Sequence, residues 1–120
     1  TITNVFKKCK NKNWLGLITA CTSPEITENI ADEIKELKIP FGFKANLWKK
    51  QPLPVGEIVT FDKDGFGENP VDILGTRDDI TGEKFCDFSK RMIDKGATIL
   101  GGCCETKPFH IKAIAKLKQA

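Results

Sequence analysis

Long hydrophobic runs are missing from this sequence. No apolar stretch approaches the roughly 18–20 residues that a membrane-spanning helix requires, and residues 1–8 lack the hydrophobic segment of a signal peptide. A strong charge excess is missing too, because 19 basic residues stand against 16 acidic ones, for a net charge of +3. These absences argue against a membrane partner and against a nucleic-acid partner.

A disulfide framework is also absent. The five cysteines are not spaced as in a small disulfide-rich domain, which favours a reducing, cytoplasmic compartment in which thiols are available for metal. There is no internal repeat and no low-complexity tract. The chain of 120 residues starts without methionine, so we expect one domain or a fragment of a larger one.

Short apolar runs alternate with helix signals along the chain. The three predicted strands are 15–20, 41–45 and 97–100. The three predicted helices are 24–38, 82–94 and 107–118. Ser23 and Thr106 are the predicted N-caps of the first and last helix, and Lys95-Gly96 is the predicted end of the middle one. This order predicts an α/β fold with a parallel sheet and covering helices.

The segment from 47 to 79 is rich in proline and glycine. We predict an irregular loop or lid there, with one local strand at 57–61, because connections of this length inside a compact unit are usually functional or mobile. At its end, Arg77-Asp78-Asp79 is typical of a helix entry with ion pairs.

Two adjacent cysteines, Cys103 and Cys104, follow the third predicted strand and two glycines. Adjacent Cα atoms lie about 3.8 Å apart, which is too close for an unstrained disulfide, whereas two thiolates suit one zinc ion. Cys21 ends the first predicted strand, and the carboxyl ends of parallel strands share one edge of the sheet. Three thiolates there leave one position open, as in catalytic zinc sites. A substrate thiol at that position would ionise and attack an electrophilic methyl group.

Other polar residues and cysteines are weaker candidates for a substrate contact or a metal ligand. Lys44 and Asn46 lie at the end of the second predicted strand and are expected to face the same mouth, with Asn46 as a substrate contact. Cys86, between two phenylalanines, is expected in the core, and Cys9 is expected to be a plain thiol. For His110, a capping or helix-surface role is favoured over a ligand role.

From about residue 15 to 117, the chain resembles the zinc-dependent homocysteine S-methyltransferases. The most specific part is 96–111, which contains an apolar strand, Gly-Gly-Cys-Cys, a short polar stretch, a proline and then His-Ile. Segments 21–25, 43–46 and 72–79 also resemble the family. Before its first cysteine the family usually has Gly-x-Asn, whereas this chain has Ile18-Thr19-Ala20.

The resemblance implies the C-terminal portion of a (β/α)8 TIM barrel, with Zn²⁺ held by Cys21, Cys103 and Cys104. It also implies methyl transfer from a small methyl donor to homocysteine, giving methionine. The chain does not indicate whether that donor is a sulfonium, a betaine or a folate. Because a complete barrel takes about 250 residues, we expect residues 1–120 to form a single partial domain without its N-terminal half. Open sheet edges would then cause self-association.

Two alternatives stay open beside this enzyme. One is a non-catalytic zinc-binding or thiol redox module, and the other is a structural half-barrel that assembles with another chain. Methyl transfer by the chain alone, abolished by Cys103→Ala, would select the enzyme, whereas tight zinc binding without turnover would select the module. Activity that appears only when the N-terminal half is added would identify a split or truncated enzyme.

Overall fold

The computed structural model describes residues 1–9, 13–51 and 70–118. Its three strands form one parallel sheet, in which the second strand along the chain lies between the first and the third. The strands are β1 (Leu17–Ala20), β2 (Phe41–Ala45) and β3 (Ile99–Gly102). The helices are α1 (Ile2–Lys8), α2 (Pro24–Lys35), α3 (Pro70–Leu74), α4 (Gly82–Asp94) and α5 (Pro108–Ala115). The predicted α/β fold of three parallel strands with covering helices is confirmed, and it is compatible with part of a TIM barrel.

The central strand, β2, sets the register of the sheet. Phe43 lies opposite Thr19 on one side and Leu100 on the other, and all three face the helices. Gly42 lies opposite Ile99, and a Cβ atom at this position would overlap the carbonyl oxygen of Ile99. A glycine is therefore needed for the two strands to approach each other here.

Helices α2 and α4 begin where predicted and α4 also ends where predicted, but α2 ends at Lys35 rather than at 38. The Leu37 and Lys38 N–H groups bond to carbonyls three residues back, so the α-helical pattern stops there. The Ser23 hydroxyl accepts a hydrogen bond from the Ile26 N–H at 3.2 Å, and Pro24 occupies the first turn. Helix α4 ends at Asp94 with Lys95 as its C-cap, followed by Gly96 with a φ of +103°, the backbone conformation that favours glycine. None of the described helices is long and apolar enough to cross a membrane.

The hydrophobic core lies between the sheet and helices α2, α4 and α5. The Phe43 ring centroid lies 4.7 Å from that of Phe88 and 6.3 Å from that of Phe85. Other buried core residues are Ala31, Ile34, Leu47, Met92 and Ile114. Each large apolar side chain buried in this way contributes about 1.5–3 kcal/mol, so this layer holds the helices on one face of the sheet.

The third strand and the last helix differ from their predicted bounds. Strand β3 is Ile99–Gly102 rather than 97–100, because its two glycines pair with Lys44 and Ala45 of β2. The last helix ends at Ala115 rather than 118. The first strand likewise begins at Leu17 rather than 15.

The predicted N-cap of α5, Thr106, is wrong. Lys107 is the N-cap residue, and its backbone N–H donates a hydrogen bond to Nδ1 of His110 at 2.9 Å. The Thr106 hydroxyl is instead engaged with the backbone of Cys103. A threonine hydroxyl can accept a hydrogen bond from the backbone N–H three residues earlier instead of from the free N–H groups at the start of a helix.

Two further helices were not predicted from the sequence. Helix α1 packs against α2, where the Thr3 N–H donates to Glu33 Oε1 at 2.9 Å. Helix α3 lies within the segment predicted to be irregular. The predicted strand at 57–61 lies outside the described residues.

Candidate metal centre

Three thiols converge at the carboxyl edge of the sheet. Cys21 follows β1, and Cys103 and Cys104 follow β3, so the side chains come from both strands that flank β2. The Sγ atoms of all three lie within 4.8 Å of one another. Cys21 and Cys103 are half-buried and Cys104 is exposed, so the cluster is open to a small molecule on one side.

The sulfur spacing fits a tetrahedral metal. Two sulfur atoms bound to one zinc at about 2.3 Å lie about 3.8 Å apart when the geometry is tetrahedral. The Cys21 and Cys104 Sγ atoms are 3.6 Å apart, and those of Cys103 and Cys104 are 3.9 Å apart. With the third sulfur pair also within 4.8 Å, three cysteine thiolates would form a donor set that suits zinc and would leave its fourth position free.

Cys21 is held in a left-handed backbone conformation, with a φ of 56°. This conformation costs a non-glycine residue about 1–3 kcal/mol. Hydrogen bonds on both sides compensate for it: the Cys21 N–H donates to the carbonyl oxygen of Lys44 at 2.8 Å, and the Cys21 carbonyl accepts from Asn46 Nδ2 at 2.7 Å. The end of β2 therefore fixes where the Cys21 thiol points.

Asn46 is fully buried beneath the thiols. Besides the Cys21 carbonyl, its Nδ2 lies 3.8 Å from Cys21 Sγ, and its Oδ1 accepts from the Trp48 N–H at 3.3 Å. The predicted proximity of Asn46 to the cysteines is thus found. Its assignment as a substrate contact stays a prediction, and the structure gives it a second role as the residue that holds Cys21.

The loop that carries Cys103 and Cys104 is tied to β2 and to its own first turn. The Cys103 N–H donates to the Ala45 carbonyl at 2.8 Å and to Thr106 Oγ1 at 3.2 Å. The Thr106 hydroxyl in turn donates to the Ala45 carbonyl at 3.2 Å. The Cys104 carbonyl accepts from the Leu47 N–H at 3.0 Å, so both cysteines have fixed backbones.

Glu105 anchors the far side of the same loop. Its backbone is in the left-handed conformation, with a φ of 60°. Its carboxylate accepts hydrogen bonds from Thr76 Oγ1 at 2.7 Å and from Lys107 Nζ at 2.8 Å. These bonds lower the pKa of Glu105, that from Lys107 most. The segment that enters α4 is thereby joined to the cysteine loop.

The three thiols influence one another's ionisation. Burial raises the pKa of Cys104 to about 11, and the neighbouring Cys21 and Cys103 thiols act in the same direction. Burial also opposes ionisation of Cys103, but hydrogen bonds from Cys21 and Cys104 and the charge of Lys44 bring its pKa below the ordinary value. A cation bound between the three sulfur atoms would stabilise their thiolate forms.

The remaining sequence candidates lie away from the cluster. Cys86, on α4, is half-buried, and Cys9 is exposed. His110 caps α5 as predicted, but it is buried rather than on the surface, with Nε2 2.7 Å from the Ile80 carbonyl. Among residues that sequence reasoning missed, Thr106 matters most, and its only sequence signal is its spacing of three from Cys103.

Fold and thiol geometry together define an α/β protein with a cluster of three cysteine thiols at the carboxyl edge of a parallel sheet. The family model of the homocysteine S-methyltransferases matches residues 1–117. The chain therefore belongs to the homocysteine S-methyltransferase family, as the sequence resemblance predicted, and this membership supports methyl transfer as its general chemistry. No individual curated protein matches the chain.

Proposed function

We propose that this chain provides the zinc-thiolate centre of a homocysteine S-methyltransferase. The observation that carries the proposal is the convergence of Cys21, Cys103 and Cys104 at sulfur distances of 3.6 and 3.9 Å. Family membership supplies the reaction class, and the exposed side of the cluster supplies access for a thiol substrate.

The three cysteines would hold Zn²⁺ and leave its fourth position to the substrate. When bound, zinc supplies the positive charge that makes a coordinated thiol ionise at neutral pH. In the overall reaction, the homocysteine sulfur forms a bond to the methyl carbon, the bond between that carbon and the donor breaks with its electron pair leaving on the donor, and the thiol proton is released. The products are methionine and the demethylated donor.

The chain's own residues orient this centre. Asn46 and the end of β2 hold Cys21, while Thr106 and Ala45 hold Cys103. Asn46 is also proposed as a polar contact for homocysteine. The Asn46→Ala variant tests both roles, because loss of the contact raises KM for homocysteine at unchanged zinc content, whereas loss of positioning lowers zinc content.

The proposal also includes a partner that covers the open edges of the sheet. Strands β1 and β3 each have one edge without a partner strand within the described residues. An apolar groove of about 630 Å³ runs beside β3 and α5, and its lining includes Ile93, Ile99, Leu100, Ile111 and Leu117. Self-association, or further strands of a TIM barrel, would cover these surfaces. Light scattering of the purified chain tests this, because a monodisperse monomer at high concentration contradicts self-association.

The activity test is formation of methionine from homocysteine. Zinc-supplemented protein is assayed with a sulfonium, a betaine and a methylated folate as donors, alone and together with the complementary part of the barrel. We expect turnover with one donor class, loss of turnover in Cys103→Ala, and retention in the matched control Cys86→Ala, whose thiol lies outside the cluster. Tight zinc binding without turnover in either setting would favour the non-catalytic module.

The proposed cellular location follows from the need to keep the cysteines reduced. A centre of three thiolates works only while its cysteines stay reduced, which supports a cytoplasmic location. Fluorescent tagging of the chain in its native cells checks this, and a signal in an oxidising compartment would contradict it.

A further inference from the structure

Lys44 is the one charged side chain on the face of the described strands that the helices leave open. In the register of the sheet, Lys44 lies between Ala20 and Gly101. The other strand residues on this face are Ile18, Gly42 and Ile99, none of which can neutralise a charge. Lys44 is exposed, and Ile18 is 50% exposed.

The side chain of Lys44 runs beside Gly101, on the side where the thiols lie. A Cβ atom added to Gly101 would lie 4.0 Å from Lys44 Cγ, so the two residues share this face and the glycine leaves room for the lysine stem. The carbonyl oxygen of Lys44 accepts from the Cys21 N–H at 2.8 Å. Lys44 thus comes one residue before the edge at which the cysteines converge.

The charge of Lys44 has no carboxylate partner among the described residues. Lys107, on the cysteine loop, is already paired with Glu105, and the described ion pairs do not include Lys44. The stem of Lys44 lies beside Gly101, which comes two residues before Cys103. A cation without a carboxylate partner in the described part of the chain, on an apolar surface beside a thiol site, is suited to binding an anionic group of the substrate.

We infer that Lys44 binds the carboxylate of the amino-acid thiol whose sulfur enters the cysteine cluster. This inference rests on the proposed function. Three carbon atoms separate the sulfur of homocysteine from its carboxylate, and the lysine has a flexible four-carbon stem with which to meet it. Lys44 then makes the site selective for thiols that carry a carboxylate over those that do not.

The test uses the cobalt-substituted protein, in which thiolate binding changes the visible spectrum without any turnover. Two thiols are titrated: homocysteine, and 3-aminopropane-1-thiol, which is homocysteine without its carboxylate. In Lys44→Met we expect homocysteine to bind about tenfold more weakly, the value of one charge-assisted hydrogen bond, while binding of the aminothiol stays unchanged. Lys44→Arg should retain the preference. Lys35→Met, a control on exposed α2 surface, should behave like wild type.

The outcomes separate this inference from the function on which it rests. Equal weakening of both thiols in Lys44→Met would overturn the inference, because the lysine would then act on the charge of the sulfur centre. Unchanged homocysteine binding in Lys44→Met would overturn it as well. If wild-type protein loaded with one cobalt shows no response to homocysteine, the proposed function fails and the inference fails with it.

Discussion

Replacing Gly102 by alanine should damage the cysteine loop, whereas the same change at Gly101 should not. A Cβ atom at Gly102 would lie 2.6 Å from Thr106 Cβ and would overlap the methyl group of that threonine. A Cβ atom at Gly101 would lie 3.5 Å from the Phe43 carbonyl oxygen, which is ordinary contact. The two glycines are neighbours in β3, so each variant is a matched control for the other.

The expected loss of stability in Gly102→Ala follows from the displacement of Thr106 and the weakening of its hydrogen bonds. Forcing an extra carbon into a packed site costs about 1–3 kcal/mol. Moving Thr106 also weakens its bonds to the Cys103 N–H and the Ala45 carbonyl, each worth about 1 kcal/mol. We therefore expect Gly102→Ala to lower the free energy of unfolding by about 2–4 kcal/mol. Gly101→Ala should stay within about 1 kcal/mol of wild type, because alanine also restricts the unfolded chain.

Urea unfolding measures this difference. Trp48, which is buried, gives the fluorescence signal, and a chelator keeps all proteins metal-free so that stability is compared without zinc. A second titration with zinc should show weaker binding only in Gly102→Ala. Equal loss of stability in both variants, or a larger loss in Gly101→Ala, would refute the assigned packing of Thr106 against Gly102.

Three further predictions concern hydrogen bonds around the sheet edge. Thr106→Val, which keeps the shape but not the hydroxyl, should weaken zinc binding about 10- to 100-fold, and Thr106→Ser should restore most of it; equal affinities measured by competition with a chelator would contradict this. Arg77 forms ion pairs with Glu25 and Asp79. Its hydrogen bond is the main cause of the lowered pKa of Asp79. Partial burial raises the pKa of Glu25, but the bond from Arg77 and other hydrogen bonds outweigh it, so that this pKa is lowered as well. Their contribution to stability is therefore present at neutral pH and is lost as pH falls through the lowered pKa values. The difference in unfolding free energy between wild type and Arg77→Met should shrink over that acidic range, and a difference that stays constant with pH would contradict it. His110→Phe leaves two backbone groups unpaired and should cost about 2 kcal/mol or more in urea unfolding; no change would show that these bonds contribute nothing.

Local signals explain why most elements were predictable from the sequence. Ser23 followed by Pro24 starts a helix by satisfying free backbone N–H groups, and Gly96 ends one by adopting a positive φ. These effects depend on residues close in sequence. The second strand was likewise predicted over its observed length. Four of its five residues are buried, and strands of that kind are mostly apolar in sequence.

Convergence of the three cysteines was also predictable, for a topological reason. Parallel strands bring their carboxyl ends to one edge, so residues far apart in sequence, such as Cys21 and Cys104, meet there. What holds them could not be predicted. The left-handed Cys21, the bond from Asn46 to its carbonyl and the bond from Thr76 to Glu105 all join segments distant in sequence, and no local pattern specifies such contacts.

The bounds of β3 show the same limit. Two successive glycines normally weaken a strand, which is why the strand was predicted to end before them. Here their lack of side chains allows the close approach of Thr106 to Gly102 and leaves space for Lys44 beside Gly101. Tertiary packing thus overrides the local preference.

The most direct test of the three-thiolate centre is a competitive zinc titration of the reduced chain against a chromogenic chelator. Wild type should hold one zinc per complete site, and Cys21→Ser, Cys103→Ser and Cys104→Ser should each lose tight binding, while Cys86→Ser retains it. Wild-type protein with intact thiols that holds less than about half an equivalent of zinc would contradict the account. Tight binding that survives all three substitutions would contradict it equally.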